Sequence, residues 1–310
     1  MEHLCQQAAG EGALPNAADL QYFIAMQEAQ PTDAPDHSAE KWNRRAEAWE
    51  KARTGGTKGS GDDRIQNTVD YLRSRGLLTP DQDVADIGCG PGRFAAAFAQ
   101  TAHWVTGFDI SENMVRYGME HAAREGRHNV TLRTCDFQTM DLEAEGLAGA
   151  FDLVFSSLTP AIHGMKGLEK SMAMSRAYCC NITHISSQNQ LRIRMMREVF
   201  HREPPARWNG RWFYSLFNVL YLMGYYPEVS YYNRHQEYRI RPDRAYAELM
   251  AEHLLPPQEC TERSLEQIWS WLQANTDSDG RITEITDTCY GRTLWDVRRR
   301  EPRPDYRAAN

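Results

Sequence analysis

The sequence predicts an α/β protein, a mostly parallel sheet with helices on both faces and ligand-binding residues at the carboxyl ends of its strands. Three observations lead there. The stretch Val84-Ala85-Asp86-Ile87-Gly88-Cys89-Gly90-Pro91-Gly92-Arg93-Phe94 reads as a buried strand, a sharp glycine turn and a helix start with proline in its first turn. Short apolar runs then alternate with helical segments through residues 104–185, as the crossovers of a parallel sheet require. Acids stand where three successive strands close, at Asp86, Asp109 and Asp136.

The glycine spacing narrows the ligand. Dinucleotide folds carry G-x-G-x-x-G and bring a helix N-terminus to a pyrophosphate. Here residues 86–92 read Asp-x-Gly-x-Gly-x-Gly, and position 93 is Arg, which weakens a nicotinamide reading. The pattern resembles motif I of class I S-adenosylmethionine-dependent methyltransferases, whose cofactor has no phosphate but offers an amino-acid end, a ribose diol, an adenine and a sulfonium. That resemblance implies S-adenosyl-L-methionine as cofactor, S-adenosyl-L-homocysteine as product, and cofactor contacts at Asp86, Gly88, Cys89, Gly90 and Gly92. It also implies a Rossmann-like seven-stranded sheet whose last strand inserts antiparallel, and helical cap insertions.

Phe94 to Ala102 is expected as a helix, followed by the strand Trp104-Val105-Thr106-Gly107-Phe108-Asp109-Ile110. An acid closing the second strand, about 20 residues past the turn, is placed to accept both ribose hydroxyls. Ser111 reads as the N-cap of the next helix. Gly-Phe-Asp-Ile-Ser-Glu-Asn-Met-Val, residues 107–115, resembles the family's second motif and implies that Ile110 and Met114 flank the adenine, although Met114 also fits plain helix core. Val130 to Arg133 is the third strand. By the same resemblance Asp136 meets the adenine amino group, with Cys135 and Phe137 beside the ring; the alternative for Asp136 is a surface loop acid.

Phe151-Asp152-Leu153-Val154-Phe155-Ser156 is the fourth strand, in wording typical of the family, and Ser156 is expected at the cofactor. The loop after it, Ser157-Leu158-Thr159-Pro160-Ala161-Ile162-His163, is where class I enzymes place the residues nearest the transferring methyl. An N/D-P-P-Y/F box is absent, which disfavours amide and exocyclic-amine acceptors. Thr159 is expected at the substrate and His163 as general base, against the alternative of a surface or capping histidine. Met165 to Arg176 is a helix and Ala177 to Ile185 the fifth strand, with Cys179 and Cys180 in the core and His184, at its carboxyl end, the second candidate base.

Before the glycine turn, Lys41 to Trp49 forms a helix with Trp42, Arg45, Ala46 and Trp49 on one face. Two tryptophans can simply anchor such a helix on a core. The W-x-x-R-A-x-x-aromatic order instead resembles the family's lid, which implies that Trp42, Arg45 and Trp49 border cofactor and substrate. The glycine-rich run 54–62 then reads as a gate loop. Asn189 to Phe200 is a basic helix, and residues 208–226 hold Arg211, Trp212 and Tyr214 in an aromatic-rich stretch, read either as a substrate cap or as core or dimer interface. Tyr225 to Arg239 is the sixth strand, 242–255 and 261–274 a helical pair, and 282–298 carries the seventh strand before a charged tail.

The domain reading is therefore an N-terminal helical appendage and linker over 1–36, and a methyltransferase domain over 37–310. The latter divides into a lid helix and gate loop (37–62), a cofactor-binding core (63–186) and helical insertions at 187–226 and 242–275. A hydrophobic share of 41% describes a globular protein, and the net charge of −7 argues against general nucleic-acid binding. Neither a signal peptide nor a membrane span is read, and seven cysteines without C-x-x-C spacing suit free thiols in a reducing cytosol. No metal site is expected; the run 275–280 resembles a calcium loop but has Thr286 where a bidentate Glu is needed. The expected activity is methyl transfer to an O, N or S atom of a small molecule, by a monomer or homodimer. The competing reading is a non-catalytic S-adenosylmethionine-binding scaffold of the same fold.

Overall fold

The computed structural model describes residues 16–28, 38–54, 63–204 and 210–306, with 48–54 described as backbone only. Seven strands form one sheet: β1 (Asp83–Ile87), β2 (Trp104–Asp109), β3 (Val130–Thr134), β4 (Phe151–Ser157), β5 (Ser175–Asn189), β6 (Glu228–Ile240) and β7 (Ile282–Asp296), in the order β3-β2-β1-β4-β5-β7-β6. β1 is parallel to β2 and β4, β2 to β3, and β4 to β5. The last strand runs the other way. The Val297 amide donates to the Ala177 carbonyl at 2.8 Å, while Ser187 meets Thr288 at 3.3 Å, so numbering falls along β7 as it rises along β5. Strand order reverses between β1 and β4, which opens a crevice outside their carboxyl ends.

Side-chain alternation sorts β1 between two faces. Ala85 and Ile87 join the cluster with Phe108, Val154, Leu168, Met174 and Trp295, whereas Phe94, Phe98 and Phe155 pack ring against ring at centroid separations of 4.9–5.7 Å. Strands buried on both faces read as continuous apolar runs, which is why β1 and β4 were legible as central strands.

The chain divides into two compact units, one within 1–183, 210–231 and 291–310, the other within 184–209 and 232–290. The first contains the helices α1 (Ala17–Glu28), α2 (Ala39–Thr54), α3 (Asp63–Ser74), α4 (Arg93–Phe98), α5 (Glu112–Arg124), α6 (Gly164–Met174) and α8 (Arg211–Leu222). The second contains α7 (Gln190–Glu198), α9 (Arg244–Leu254) and α10 (Glu262–Ala274), closed around Leu191, Met195, Met250, Ile268 and Leu272. Among the described residues no helix is long and apolar enough to cross a membrane.

Four features differ from the sequence reading. α4 stops at Phe98 and is followed by a turn through Ala102. β5 continues four residues past Ile185, because Ser187 and Asn189 find partners on β7 at Thr288 and Thr286. α8 belongs to the first unit, with Phe213, Leu216, Val219 and Leu220 buried, and is separated from the inserted helices it was grouped with. The expected tail instead straps the end of α8: Arg300 donates to the Met223 carbonyl, Arg303 to that of Tyr225, and Tyr306 meets Tyr221. α1 likewise lies within the first unit, with Leu20 buried and the Asn16 amide donating to the Leu222 carbonyl at 3.1 Å. The gate loop at 55–62 lies outside the described residues.

Candidate functional site

The glycine turn folds as it does because its alternate residues take left-handed backbone angles. Gly88, Gly90 and Gly92 have φ of 67°, 53° and 67°. At Gly88 a Cβ would meet the Thr159 Oγ1 at 1.9 Å, so the β4 loop lies directly on the turn; at Gly90 nothing stands within 4 Å, leaving the backbone open to a ligand. The amides of Gly88 and Cys89 both donate to the Phe108 carbonyl, at 2.7 and 3.0 Å, tying the turn to the end of β2.

Asp109 closes β2 between two backbone donors. Its Oδ2 accepts from the Gly90 amide at 2.8 Å and its Oδ1 from the Ser111 amide at 2.9 Å. Burial raises the Asp109 pKa, opposed by these hydrogen bonds. Each carboxylate oxygen has a second lone pair beyond the one so used. Asp86 is 2% exposed, and its Oδ2 has no hydrogen-bond partner among the described residues. Burial and, to a smaller extent, the Asp109 charge push its pKa up to about 8 against the opposing pull of the Ala95 amide and Arg64. The Cys89 thiol is buried and its pKa is raised by that burial.

Ser111 caps α5 as expected, accepting from the Met114 amide at 3.1 Å. Ile110 is half-buried, but Met114 is 2% exposed and packed as core. At the end of β3 the Cys135 amide donates to the Asp109 carbonyl at 2.8 Å, and Asp136 is exposed. Phe137 turns inward instead, buried in the main apolar cluster with the Lys170 ammonium 5.6 Å from its ring, so only Cys135 and Asp136 of this trio reach the surface. The loops after β3 and β4 are joined by Gln138, whose amide donates to the carbonyls of Ala161 (2.6 Å) and His163 (3.2 Å).

The β4 side is built from side chains. The Asn181 amide donates to the Ser156 Oγ at 3.0 Å, and the Asn181 carbonyl accepts from the Trp212 indole at 3.2 Å. The Trp212 ring stacks on His163, with centroids 5.9 Å apart and planes at 27°. Thr159 Oγ1 accepts from the Ala161 amide at 3.1 Å, and Leu158 is held at φ 54°, a strained angle for leucine. Four elements thus bring Ser156, Asn181, Trp212 and His163 into one relay.

Other predicted residues lie elsewhere. His184 lies within the longer β5, two residues past Ile182, the partner of Ser157 at the end of β4; it falls in the second unit, its ring 4.9 Å from that of Tyr290. Tyr214 is exposed on α8 and meets Phe23 of α1 edge to face at 5.5 Å; Arg211 is exposed at the helix start. On α2 the Arg45 guanidinium lies 5.2 Å from the Trp42 ring, and the Trp49 side chain is outside the described residues. Asn43, next to Trp42, was not singled out in the sequence, yet its Oδ1 accepts from the Ser111 hydroxyl at 2.6 Å and the Asn113 amide at 3.3 Å. Asn181 and Gln138 were missed for the same reason: each acts on partners more than 20 residues away, and no local pattern marks them.

Residues 84–192 match the family model of the methyltransferase domain. The match spans about a third of the chain and covers β1 to β5, the part of the sheet that carries the glycine turn. The chain is 31% identical over 126 residues to phosphoethanolamine N-methyltransferase 1 of Caenorhabditis elegans, covering 41% of this chain and 22% of that protein. It is also 31% identical over 90 residues to the 23S rRNA (uracil(1939)-C(5))-methyltransferase of Alkalilimnicola ehrlichii, covering 29% of this chain and 19% of that one. The chain thus spans about a fifth of the length of these curated relatives. Among solved structures, magnesium protoporphyrin IX methyltransferase from Synechocystis PCC 6803 with bound S-adenosylhomocysteine aligns at 14% identity and TM-score 0.41, covering 88% of this chain and 94% of that one. The cofactor of this methyltransferase family is S-adenosylmethionine.

Proposed function

We propose that the chain transfers a methyl group from S-adenosylmethionine to a small-molecule acceptor by in-line displacement. The observation that carries this reading is Asp109. Its carboxylate is fixed on both oxygens by backbone amides at the carboxyl end of β2, one strand from the switch point, with lone pairs left for the two hydroxyls of a ribose. The surroundings fit the rest of the cofactor. The open backbone at Gly90 allows close approach, and the unpartnered Oδ2 of Asp86 suits a cationic group brought beside it. Ile110, Cys135 and Asp136 border the adenine in this reading.

S-adenosylmethionine supplies an already activated methyl on its sulfonium, so the protein's work is positioning and desolvation. Thr159, lying on Gly88, borders the methyl position from the acceptor side. His163, held against Trp212, takes a proton where the nucleophile arrives protonated. A small acceptor is supported by the net charge of −7 and by Ser157-Leu158-Thr159-Pro160 standing where an N/D-P-P-Y/F box would be. The acceptor atom is O, N or S.

Incubation with methyl-labelled S-adenosylmethionine and a panel of small hydroxyl, amine and thiol compounds tests the reading. Label is expected in one acceptor class, with S-adenosylhomocysteine released in equal amount. Binding of both cofactor forms with no transfer to any of them would favour a scaffold role.

A further inference from the structure

The hydrogen bonds around Ser111 form a chain that leaves the cofactor crevice and ends on another helix. The Gly90 and Ser111 amides hold the two oxygens of Asp109. The Ser111 hydroxyl accepts from the Met114 amide at 3.1 Å and donates to the Asn43 Oδ1 at 2.6 Å. Asn43 also accepts from the Asn113 amide at 3.3 Å, and Glu47, one turn on, accepts from the Asn113 side chain at 3.5 Å. Ser111 has no exposed surface, so with α2 docked its hydroxyl proton relies on Asn43 and not on water.

We infer that Asn43 is a positioning residue for the cofactor: it ties the docking of α2 on α5 to the backbone that orients Asp109, so that cofactor residence time depends on a residue that does not touch the cofactor. This rests on Asp109 holding the ribose. With Asn43 in place, Ser111 satisfies both its hydroxyl roles, its amide stays aimed at Oδ1, and the carboxylate keeps a single orientation. Without it, the buried hydroxyl must rotate or draw in water, the first turn of α5 loosens, and Asp109 loses one of its two fixed donors. Coupling of this kind is reciprocal: a ligand that fixes Asp109 also fixes Ser111 and stabilises α2 on α5.

The experiment uses the full chain and S-adenosylhomocysteine as probe. In Asn43→Leu, of similar size but without an acceptor, dissociation of S-adenosylhomocysteine is expected to quicken and its Kd to rise about tenfold, the worth of one buried hydrogen-bond network. Asn43→Asp keeps an oxygen for Ser111 and Asn113 and places negative charge near the start of α5, so it is expected to restore both values. Hydrogen exchange of residues 39–54 is expected to slow on adding S-adenosylhomocysteine to the parent and to Asn43→Asp, and to remain fast in Asn43→Leu. A Kd and off-rate in Asn43→Leu equal to the parent's would overturn the inference while leaving the methyltransferase reading intact. The same holds if Asn43→Asp fails to rescue a folded Asn43→Leu. A parent chain that does not bind the probe would overturn both.

Discussion

On the β1–β2 side of the crevice, the contacts that hold the structure are made by backbone amides and one carboxylate, beside an open glycine backbone; on the β4–β5 side they are made by the side chains of Ser156, Asn181, Trp212 and His163, drawn from four elements. The first side is shaped by conformation, since a left-handed turn and a capped helix leave few choices of residue. The second is shaped by contacts between distant parts of the chain, and any of its members can change without disturbing a turn. In the proposed reading the ribose lies against the first construction and the acceptor against Thr159 and His163 of the second.

The sharpest way to break this comparison is at Gly88. Gly88→Ala would place a methyl on the Thr159 hydroxyl and strain a left-handed angle. It is expected to cost about 2–5 kcal/mol of stability, from the strained angle and the clash together. Gly90→Ala meets nothing within 4 Å among the described residues and should lose only the ~1–2 kcal/mol of the left-handed angle, yet weaken cofactor binding as strongly as Gly88→Ala. Denaturant unfolding and calorimetry on both variants check the pair; equal stability losses would mean that the turn and the β4 loop are not in contact.

The acceptor side answers differently. Trp212→Phe retains a ring against His163 but removes the indole donor to Asn181. Turnover is expected to fall about three- to tenfold, a loss of order 1 kcal/mol, with S-adenosylhomocysteine affinity unchanged. A changed cofactor affinity would show that the two sides are not separable.

Asp86 gives the comparison a pH signature. Its folded pKa of about 8 stands above the ordinary 3.8. Between those values the unfolded chain has released the proton and the folded chain still holds it, so this group's contribution to stability falls as pH rises and levels off above about 8. Asp86→Asn removes the titration. Its stability relative to the parent should therefore climb from pH 4 to 8, read as melting temperatures in matched buffers; a constant offset would show that Asp86 ionises normally. The smallest effect is at Gln27, 3% exposed with neither polar atom of its side chain hydrogen-bonded among the described residues. Gln27→Met is expected to gain about 1 kcal/mol in unfolding free energy. A loss would mean that the amide has a partner in solution.

What could be read from the sequence follows the same division. The strand–turn–helix at 83–98, the Ser111 cap and Asp109 at the end of β2 depend on neighbours within a few residues, and local spacing revealed them. The end of β5 past His184 was missed because its length is set by pairing with β7, about 100 residues later, which no local signal announces. Met114 and Phe137 stood at positions consistent with either core or ligand contact, and packing turned both inward. Asn43, Asn181 and Gln138 are polar residues in ordinary surroundings along the chain. Their importance comes from buried partners on other elements.

Titration of the full chain with S-adenosylhomocysteine by calorimetry, beside Asp109→Ala, tests the central claim most directly. The structure predicts saturable one-to-one binding by the parent and at least a tenfold loss in the variant, since each hydrogen bond to a charged group is worth about 1.5–3 kcal/mol. No binding by the parent, or equal binding by both proteins, would contradict it.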